Sequence, residues 1–391
     1  MKLLQVTPYY APAWGYGGFP RSVSELSVAL ARRGHKVVVL TTDAFSSRER
    51  MPSTFERNGL EIHYQRNLSN YLAWKHQFLL PIGFSGFLRR HIDEFDAIHV
   101  HGFRMYQSIV VHRRALRAGT PYLISAHGGL PNIVRKIPEK TVFDKWFGER
   151  FLKDASAVIA LSHAEKREYE ARGIPSSKIS VIYNGIDPSP YRNLPSRGIF
   201  AKRLGLQGRK IITYVGRLNA RKGLDILVKA FAQIANGRQD IALLMVGGDD
   251  GYRPALERLI SQLAPAAPVV FTGLITFPEK VSVLVDSDVI VYPGHHEFFG
   301  LVPFEALLCE RPVVVSDDSG CGEIVLRIAG GIVVPTGSVG GLTAAIEASL
   351  RNGPAVVDAT RRGRDFVRTE MDWSVIAEKV EDAYARAIGH E

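Results

Sequence analysis

The sequence predicts an α/β protein with two doubly wound domains, each built on a parallel sheet with helices on both faces. Short, nearly continuous apolar segments alternate with helical segments along the chain, which is typical of strands buried in a parallel sheet. The series of strands starts again at residues 211–215, after a proline-rich linker at residues 187–195. A chain of 391 residues is also long for one hydrophobic core, so two domains are expected.

The strands of both domains are predicted from these apolar segments. In the first domain, residues 1–190, they lie near residues 3–7, 36–42, 60–66, 97–101, 121–126, 157–161 and 179–183. In the second domain, residues 191–371, they lie near residues 211–215, 241–246, 269–271, 289–292, 312–316 and 331–334. Helices are predicted between strands, among them residues 22–33 and 109–118. Ligands bind beyond the carboxyl ends of strands in such sheets, so the loops that follow strands are the candidates for a site.

The composition argues against several classes of protein. The formal net charge of +10 favours anionic partners, but the basic residues are spread along the chain without a nucleic-acid-binding motif. The closest approach to a transmembrane helix, residues 71–87, is interrupted by charged residues, proline and glycine and is shorter than the roughly 20 apolar residues required. Two cysteines give no disulfide framework, and the first residues lack a signal-peptide pattern, so we expect a cytoplasmic protein.

The segment from Glu297 to Glu305 has the most informative pattern in the chain. It follows the predicted strand at residues 289–292, and a helix begins between the two carboxylates with Pro303 in its first turn. The free N–H groups of residues 300–302 suit a phosphate, and carboxylates suit sugar hydroxyls because they only accept hydrogen bonds. The segment would therefore bind a hydroxyl, a phosphate and another hydroxyl in that order, which is the order of these groups in a nucleotide-sugar. An ordinary helix start with an early glutamate explains the same residues.

Two glycine-containing loops also follow predicted strands. The glycines of residues 15–18 would let the backbone approach a ligand closely, and Asp43 follows the second strand. Together they suggest a dinucleotide-binding fingerprint, but Pro20 replaces its third glycine, and a flexible turn is the alternative. In the second domain, Arg217 and Lys222 follow the first strand and either converge on a diphosphate or form a solvated basic loop.

Histidines end two neighbouring strands of the first domain. His101 and His127 each stand where a parallel strand meets the ligand-binding edge of its sheet. An imidazole there could donate a hydrogen bond to a reacting group or orient it. For either residue alone, a structural histidine is the competing interpretation.

Taken together and in order, these segments resemble glycosyltransferase family 4, retaining enzymes of the GT-B fold. The resemblance covers nearly the whole chain and is carried by residues 17–18, 127–128, 181–187, 216–223, 297–305, 312–316 and 323–325. It implies two Rossmann-like domains whose parallel sheets face each other across a cleft, with a C-terminal helix at residues 372–391 that crosses back to the first domain. Residues 317–322 depart from the commoner family form, which has a glycine pair and a proline there; the departure concerns the donor-sugar pocket.

The resemblance also implies roles for individual residues. Arg217 and Lys222 would hold the donor diphosphate, Glu305 would accept from the ribose hydroxyls, and Glu297 would accept from the donor sugar, with His127 beside the transferred sugar. The implied catalytic residues are His127, Glu297, Arg217 and Lys222. The implied donor-binding residues are Gly17, Gly18, Arg217, Lys222, Glu297, Phe299, Gly300, Leu301, Val302 and Glu305.

The reaction implied by the resemblance is transfer of a hexose-type sugar from a nucleotide-diphosphate sugar, such as a UDP- or GDP-sugar. The acceptor would be a saccharide or lipid-linked saccharide in the synthesis of a cell-surface polysaccharide or glycoconjugate. Front-side attack would retain the anomeric configuration, and no cofactor or metal is expected because cationic side chains and amides stabilise the leaving diphosphate. The Asp-x-Asp at residues 286–288 is discounted as a metal site because it precedes a strand, and residues 249–251 are expected to form a turn.

The partner of the first domain is left open by the sequence. Apolar residues 71–87 and a set of basic residues could face an anionic membrane surface; the basic set is Arg89, Arg90, Arg113, Arg114, Arg117, Arg135, Lys136 and Lys140. A solvated face and an ordinary core helix are the simpler interpretation of the same residues. Three other functions also stay open: a nucleotide-sugar epimerase of the same fold, an NAD-dependent dehydrogenase using Gly15, Gly17 and Asp43, and a non-catalytic protein that binds membrane surfaces.

Overall fold

The computed structural model describes residues 1–51, 54–57, 59–131, 137–295, 297 and 299–389. The chain divides into two compact units, the first formed by Met1–Gly185 with Trp373–Glu391 and the second by Ile186–Asp372. The units thus divide after residue 185, slightly before the boundary that the sequence predicts after residue 190. Arg135 and Lys136, which the sequence assigns to a basic surface, lie outside the described residues.

The first unit is built on an eight-stranded sheet. Its strands are β1 (Lys2–Val6), β2 (Lys36–Thr42), β3 (Thr54–Arg57), β4 (Leu60–Gln65), β5 (Ala97–His101), β6 (Tyr122–Ser125), β7 (Ala157–Ala160) and β8 (Ile179–Val181). They are arranged in the order β3-β4-β2-β1-β5-β6-β7-β8, and all neighbours are parallel except the antiparallel pair β3 and β4. The predicted α/β class with a parallel sheet is confirmed.

Helices cover both faces of this sheet because successive side chains of each strand point to opposite sides. The helices are α1 (Gly18–Arg32), α2 (Asn70–His76), α3 (Phe84–His91), α4 (Tyr106–Ala118), α5 (Ile137–Phe143), α6 (Glu149–Lys153) and α7 (His163–Ala171). Along β1, Leu4 and Val6 join one hydrophobic core with Phe84 of α3, whereas Leu3 joins the opposite core with Leu30 of α1. Burial of both faces explains why the strands read as continuous apolar segments.

The second unit has a six-stranded, wholly parallel sheet. Its strands are β9 (Lys210–Val215), β10 (Ile241–Val246), β11 (Val269–Gly273), β12 (Val289–Tyr292), β13 (Val313–Ser316) and β14 (Ile332–Val334), in the order β11-β10-β9-β12-β13-β14. Its helices are α8 (Ile199–Arg203), α9 (Leu224–Ala235), α10 (Arg253–Leu263), α11 (Phe277–Asp286), α12 (Val302–Leu308), α13 (Gly320–Arg327), α14 (Val339–Arg351) and α15 (Pro354–Glu370). Within the described residues, no helix is both long and apolar enough to cross a membrane.

The last helix, α16 (Trp373–Ile388), belongs to the first unit although the whole second unit precedes it in the chain. Ile376, Val380 and Tyr384 are buried in the core that also contains Leu3 and Leu30. The indole N–H of Trp373 donates to Glu25 of α1 at 2.5 Å. The predicted return of the C-terminal helix to the first unit is therefore confirmed.

Several local predictions differ from the structure. Helix α4 begins at Tyr106, not at residue 109. Helix α1 begins at Gly18, not at residue 22. Gly17 adopts a φ of 97° and ends the preceding turn, so the helix can start at the next residue. Strand β3 was missed altogether. The dipeptide Asn58-Gly59 between β3 and β4 is the common signal of a tight hairpin and would have indicated it.

Candidate functional site

The candidate residues of each unit lie where the strand order reverses. In the second sheet, the neighbours β9 and β12 form this switch point, and their carboxyl ends lead to Arg217 and to Glu297. In the first sheet, β1 and β5 form the switch point, and β6 follows next to β5. The loop after β1 contains Gly17, β5 ends at His101, and the loop after β6 contains His127.

The loops after β9 and β12 pack directly against each other because of a glycine. Gly223 has a φ of 63°, and a Cβ atom on it would lie 3.0 Å from the carbonyl carbon of Pro293 and nearer still to its oxygen. No other residue fits this approach without displacing the backbone. The glycine therefore brings the helical turn that ends at Lys222 onto the segment that leads to Glu297.

Lys222 and Glu297 form an ion pair at this junction. The Lys222 ammonium donates to Oε2 of Glu297 and, at 3.3 Å, to the hydroxyl of Tyr292, whose ring centre is 5.4 Å away. The two charged side chains keep only 14% and 22% of their exposure. Burial and the Glu297 charge hold the pKa of Tyr292 well above its ordinary value, so its hydroxyl stays protonated. The resemblance implies that Lys222 binds the donor diphosphate and Glu297 the donor sugar. The structure places the two side chains in direct contact.

Glu305 is buried in the first turn of α12 with one oxygen unsatisfied. Its Oε1 accepts a hydrogen bond of 2.6 Å from Lys280 of α11. Its Oε2 is buried and has no hydrogen-bond partner among the described residues. Leaving a buried acceptor without a donor costs about 1–3 kcal/mol, and a hydroxyl group of a ligand would remove that cost. Lys280 was not predicted, because it comes from a different helix and no pattern in the sequence links it to Glu305.

Arg217 is far more accessible than Lys222, the other cation predicted to hold the diphosphate. Its side chain is 51% exposed, and its guanidinium lies 3.4 Å from a carboxylate oxygen of Asp250. Such an exposed pair is weak and can exchange for a stronger anion at little cost. Asp249 instead accepts from the N–H groups of residues 251–253 at the start of α10, which is the turn that the sequence predicts.

The backbone of residues 300–302 only partly matches the predicted phosphate site. Leu301 and Val302 open α12, where first-turn N–H groups have no intrahelical acceptor. Gly300 lies outside α12, before its N-cap residue Leu301. A Cβ at Gly300 would also lie 2.6 Å from the Tyr292 ring. Glycine is therefore required there for packing against Tyr292.

The aspartates at residues 286–288 have structural partners. Asp286 accepts from the N–H groups of Gly198 and Ala201 at 2.5 and 2.7 Å and so caps α8. Asp288 pairs with Arg197 at 2.6 Å and accepts from the Ile211 N–H at 2.7 Å. Within the described ranges, no group of three histidine, cysteine or acidic side chains is placed to hold a metal ion.

In the first unit, His127 belongs to a hydrogen-bonded cluster of polar side chains. Its Nε2 lies 3.0 Å from Nδ1 of His101, and its ring packs edge-on against Phe19 with 4.7 Å between ring centres. His127 is half-buried and adopts a φ of 49°, which is unusual for a residue with a side chain. Burial lowers its pKa to about 3, so the imidazole is neutral at physiological pH. The sequence indicated His127 and His101 but missed the buried residues that join them: Gln5, His99, Ser125 and Tyr384.

The loop after β1 differs from a dinucleotide fingerprint. Gly17 precedes α1, and Gly18 is the first residue of that helix, with open space around both. Asp43, which would have to bind a ribose, is buried and already engaged. Its carboxylate accepts from Arg50 and from the N–H of Asn67, each at 2.7 Å. The Asp43 carboxylate therefore joins the loops that contain Arg50 and Asn67.

Two family models match this chain, one in each half of the sequence. Residues 16–190 match the family model described as "Glycosyltransferase Family 4", and residues 197–366 match the model described as "Glycosyl transferases group 1". An uncharacterized glycosyltransferase of Methanocaldococcus jannaschii is 27% identical, and the alignment covers 99% of each chain.

Solved structures show the same fold. Sucrose-phosphate synthase from Thermosynechococcus elongatus superposes with a TM-score of 0.78 at 21% identity, over 100% of both chains. The Anabaena protein HepE, solved in complex with UDP, superposes with a TM-score of 0.75 at 21% identity, over 98% of this chain and 99% of that one. At this level of identity the likeness establishes the fold, which is the predicted one.

Proposed function

Because the chain belongs to the family 4, group 1 glycosyltransferases, we propose that it transfers a hexose-type sugar from a nucleotide-diphosphate sugar, with retention and without a metal ion. The observation that carries this proposal is Glu305. One of its oxygens is held by Lys280 and the other is buried without a donor. The pair of hydroxyls on a ribose supplies the missing donor, since a carboxylate can only accept.

The diphosphate is proposed to bind beside Glu305 at the switch point of the second sheet. Arg217 and Lys222 supply positive charge from the loop after β9, and the N–H groups of Leu301 and Val302 add donors at the start of α12. Helix α12 is short, with 7 residues, so its dipole contributes little. Arg217 and Lys222 therefore supply most of the positive charge that binds the diphosphate. Preorganised positive charge stabilises a diphosphate most strongly while it leaves, so the arrangement favours cleavage of the bond to the sugar.

Glu297 is proposed to accept from hydroxyls of the donor sugar. Its Oε2 is held by Lys222, so one side chain orients the carboxylate that meets the sugar and also neutralises the diphosphate. The family resemblance implies that His127 would lie beside the transferred sugar. The leaving phosphate would accept the proton of the attacking hydroxyl on the same face of the ring, which retains the configuration. The Anabaena structure with UDP supports a uridine nucleotide as the first donor to test.

The acceptor is proposed to be a saccharide or a lipid-linked saccharide at an anionic membrane surface. Residues 71–87, predicted as apolar, form two short helices and a loop, and several large side chains are exposed, among them Tyr71 at 55%, Trp74 at 45%, Phe78 at 52% and Ile82 at 57%. Such a concentration of exposed apolar groups is uncommon on a protein that contacts only water. Arg89 and Arg90 are exposed at the end of α3, where they could attract anionic lipid.

The proposed activity is tested with a panel of nucleotide-sugars. Without an acceptor, the purified protein should slowly hydrolyse one of them, and with lipid-linked or free saccharides it should form a glycoside. NMR of the early product reads the anomeric configuration, which should equal that of the donor. Donor epimerisation without release of a nucleotide diphosphate, or an inverted product, would refute the proposal. Sedimentation with anionic and neutral vesicles tests the membrane surface separately, and Trp74→Ser should weaken binding to the anionic vesicles.

A further inference from the structure

A continuous line of hydrogen-bonded side chains runs from the last helix to His127. The Gln5 amide nitrogen donates to the Tyr384 hydroxyl at 3.0 Å, and the Gln5 oxygen lies 2.7 Å from Nε2 of His101. Nδ1 of His101 then lies 3.0 Å from Nε2 of His127. Tyr384 also contacts Nδ1 of His99 at 2.8 Å. All these residues except His127 are at most 1% exposed.

The direction of each hydrogen bond follows from the chemistry of the neutral groups. Since the Gln5 oxygen can only accept, Nε2 of His101 must carry a proton. A neutral imidazole has one N–H, so Nδ1 of His101 is an acceptor and Nε2 of His127 must donate to it. Nδ1 of His127 is then left without a proton. Every proton in the line is therefore fixed by the orientation of one amide.

The surroundings favour neutral imidazoles throughout this line. Burial lowers the pKa of His101 well below its ordinary value and that of His99 to about 3. A charged His101 would have an N–H on both sides and would reverse the bond to His127. Because it stays neutral, the alternation of donors and acceptors is maintained.

The backbone around His127 is held independently of its ring. The next N–H, that of Gly128, donates to buried Glu165 at 2.6 Å, and the preceding N–H, that of Ala126, donates to Tyr169 at 3.0 Å. These two contacts fix the unusual φ of His127. The remaining freedom of the side chain lies in its ring, and His101 restricts that.

We propose that Tyr384, Gln5 and His101 act as positioning residues that keep His127 in its Nε2–H tautomer, so that Nδ1 meets the ligand as a hydrogen-bond acceptor. Nδ1 of His127 has no hydrogen-bond partner among the described residues, and the residue is only half-buried. The group that it receives must donate, as a sugar hydroxyl does. The tautomer stands on the structure alone, whereas the identification of the ligand with the transferred sugar rests on the proposed function.

The tautomer is measured directly by ¹⁵N NMR of the histidine side chains in the full-length protein at neutral pH. His127 should show a protonated Nε2 and an unprotonated Nδ1, and His101 should show the same form. The spectrum of His127→Gln identifies the signals, and His91→Asn, at the end of α3, serves as a control that leaves them in place. Protonated Nδ1 atoms in both residues would mean that the Gln5 amide is reversed, and would overturn the proposal.

The positioning role is tested by breaking the line at His101. His101→Phe removes the acceptor for His127, so the His127 tautomers should become mixed while its neighbours Ala126 and Gly128 keep their amide shifts. Tyr384→Phe leaves His101 in place but removes the acceptor of the Gln5 amide, so it should shift the tautomers in the same direction. An unchanged, pure Nε2–H form of His127 in both variants would contradict a role for this line.

The direction of the ligand contact is tested with modified donor sugars. Sugars that lack one hydroxyl, or carry fluorine in its place, should identify one position where transfer falls roughly three- to tenfold, as expected for one hydrogen bond. Fluorine accepts but cannot donate, so at that position the fluoro donor should be as poor as the deoxy donor. This discrimination should vanish in His127→Ala and shrink in His101→Phe. A fluoro donor that equals the natural one would show that His127 donates. If no donor reacts at all, the proposed function fails while the NMR result still decides the tautomer.

Discussion

The buried Oε2 of Glu305 destabilises the folded chain as long as no ligand donates a hydrogen bond to it. Oε1 is stabilised by Lys280, but Oε2 is buried without a donor in the part of the chain that the structure describes. Buried polar groups are nearly always paired, and exceptions concentrate at functional sites. The same Lys280 contact keeps the carboxylate in one orientation, so a ligand hydroxyl would meet a fixed acceptor.

Glu305→Gln should weaken binding of the nucleotide diphosphate by about 1.5–3 kcal/mol, because a hydrogen bond to a charged acceptor is lost. The glutamine can still accept from Lys280, so the fold should be preserved. Calorimetry with UDP and GDP measures the effect. Asp249→Asn is the matched control, since Asp249 is a carboxylate of the same unit that only caps α10. Equal affinities in the two variants would remove Glu305 from the site.

Lys222→Ala and Arg217→Ala should each lower turnover more than they lower affinity for the donor. Both cations are proposed to act on charge that grows as the diphosphate leaves, so their loss affects the transition state more than the bound ground state. Steady-state kinetics separates kcat from KM. Arg221→Ala removes an exposed cation from the same helical turn and should change neither. Unchanged turnover in both test variants would contradict the diphosphate assignment.

The return of helix α16 to the first unit depends on close packing beneath Trp373. A Cβ atom on Gly185 would lie 2.7 and 2.8 Å from two carbons of the indole and closer still to a third. The indole also donates to Glu25, so it cannot easily move away. One glycine at the end of the first unit thus fixes where the last helix begins.

Gly185→Ala should destabilise the first unit by about 1–3 kcal/mol, because the added methyl group forces an overpacked contact. The lowered thermal midpoint is read by differential scanning calorimetry. Gly340→Ala is the control: it lies in α14 with open space around it, and it should be neutral or stabilising by about 0.5–1 kcal/mol through helix propensity. A midpoint for Gly185→Ala at or above that of the wild type would show that Trp373 can shift without cost.

The two units should respond differently to acid, since His99, His101 and His127, whose pKa values are strongly lowered, all belong to the first. Burial lowers the pKa of His99 and of His127 to about 3 and that of His101 well below its ordinary value, so the folded first unit keeps them neutral. In the unfolded chain they bind protons below about pH 6.5. Their contribution to stability is therefore complete above that pH and is lost as the pH falls toward 3.

Between pH 7 and pH 5 the first unit should lose stability as these histidines bind protons in the unfolded chain but not in the folded one. Glu165 opposes them, because burial raises its pKa to about 7, so its contribution is largest at low pH and is lost as the pH rises through 7. This single opposing group should offset only part of the combined effect of the histidines, leaving a net loss on the order of a few kcal/mol. Hydrogen exchange, corrected for intrinsic rates, should show falling protection in β5 and β6 and little change in β9 and β10. Parallel losses in both units would contradict the assignment to the histidines.

Turnover by the whole enzyme should survive a chelator. The leaving charge is assigned to Arg217 and Lys222, and the carboxylates of Asp286 and Asp288 are occupied by backbone and arginine donors. Assays in EDTA, with and without added magnesium or manganese, measure this. Complete loss of turnover in EDTA that either metal restores would replace the cationic mechanism by a metal-assisted one.

The sequence by itself determined the order of nearly all the described strands and the presence of helices between them. The spacing of apolar residues is a local property. In a doubly wound sheet, each buried strand and each amphipathic helix has its own spacing, so each can be recognised from its own residues. The same local reasoning singled out Glu297, Glu305, Arg217, Lys222 and His127 as candidates, because each follows a strand that the pattern reveals. It failed at Gly18 and at β3, where single glycines decide the backbone.

Only the tertiary structure decided which side chains meet. Lys280 reaches Glu305 from another helix, Lys222 pairs with Glu297 across two strands, and Tyr384 meets Gln5 from the opposite end of the chain. Such contacts leave no periodic trace, since any lysine or tyrosine on a helix has the same local pattern. They fix the charge and the proton positions of the candidate site, because burial and hydrogen-bond geometry depend on what packs around a group and not on its neighbours in sequence.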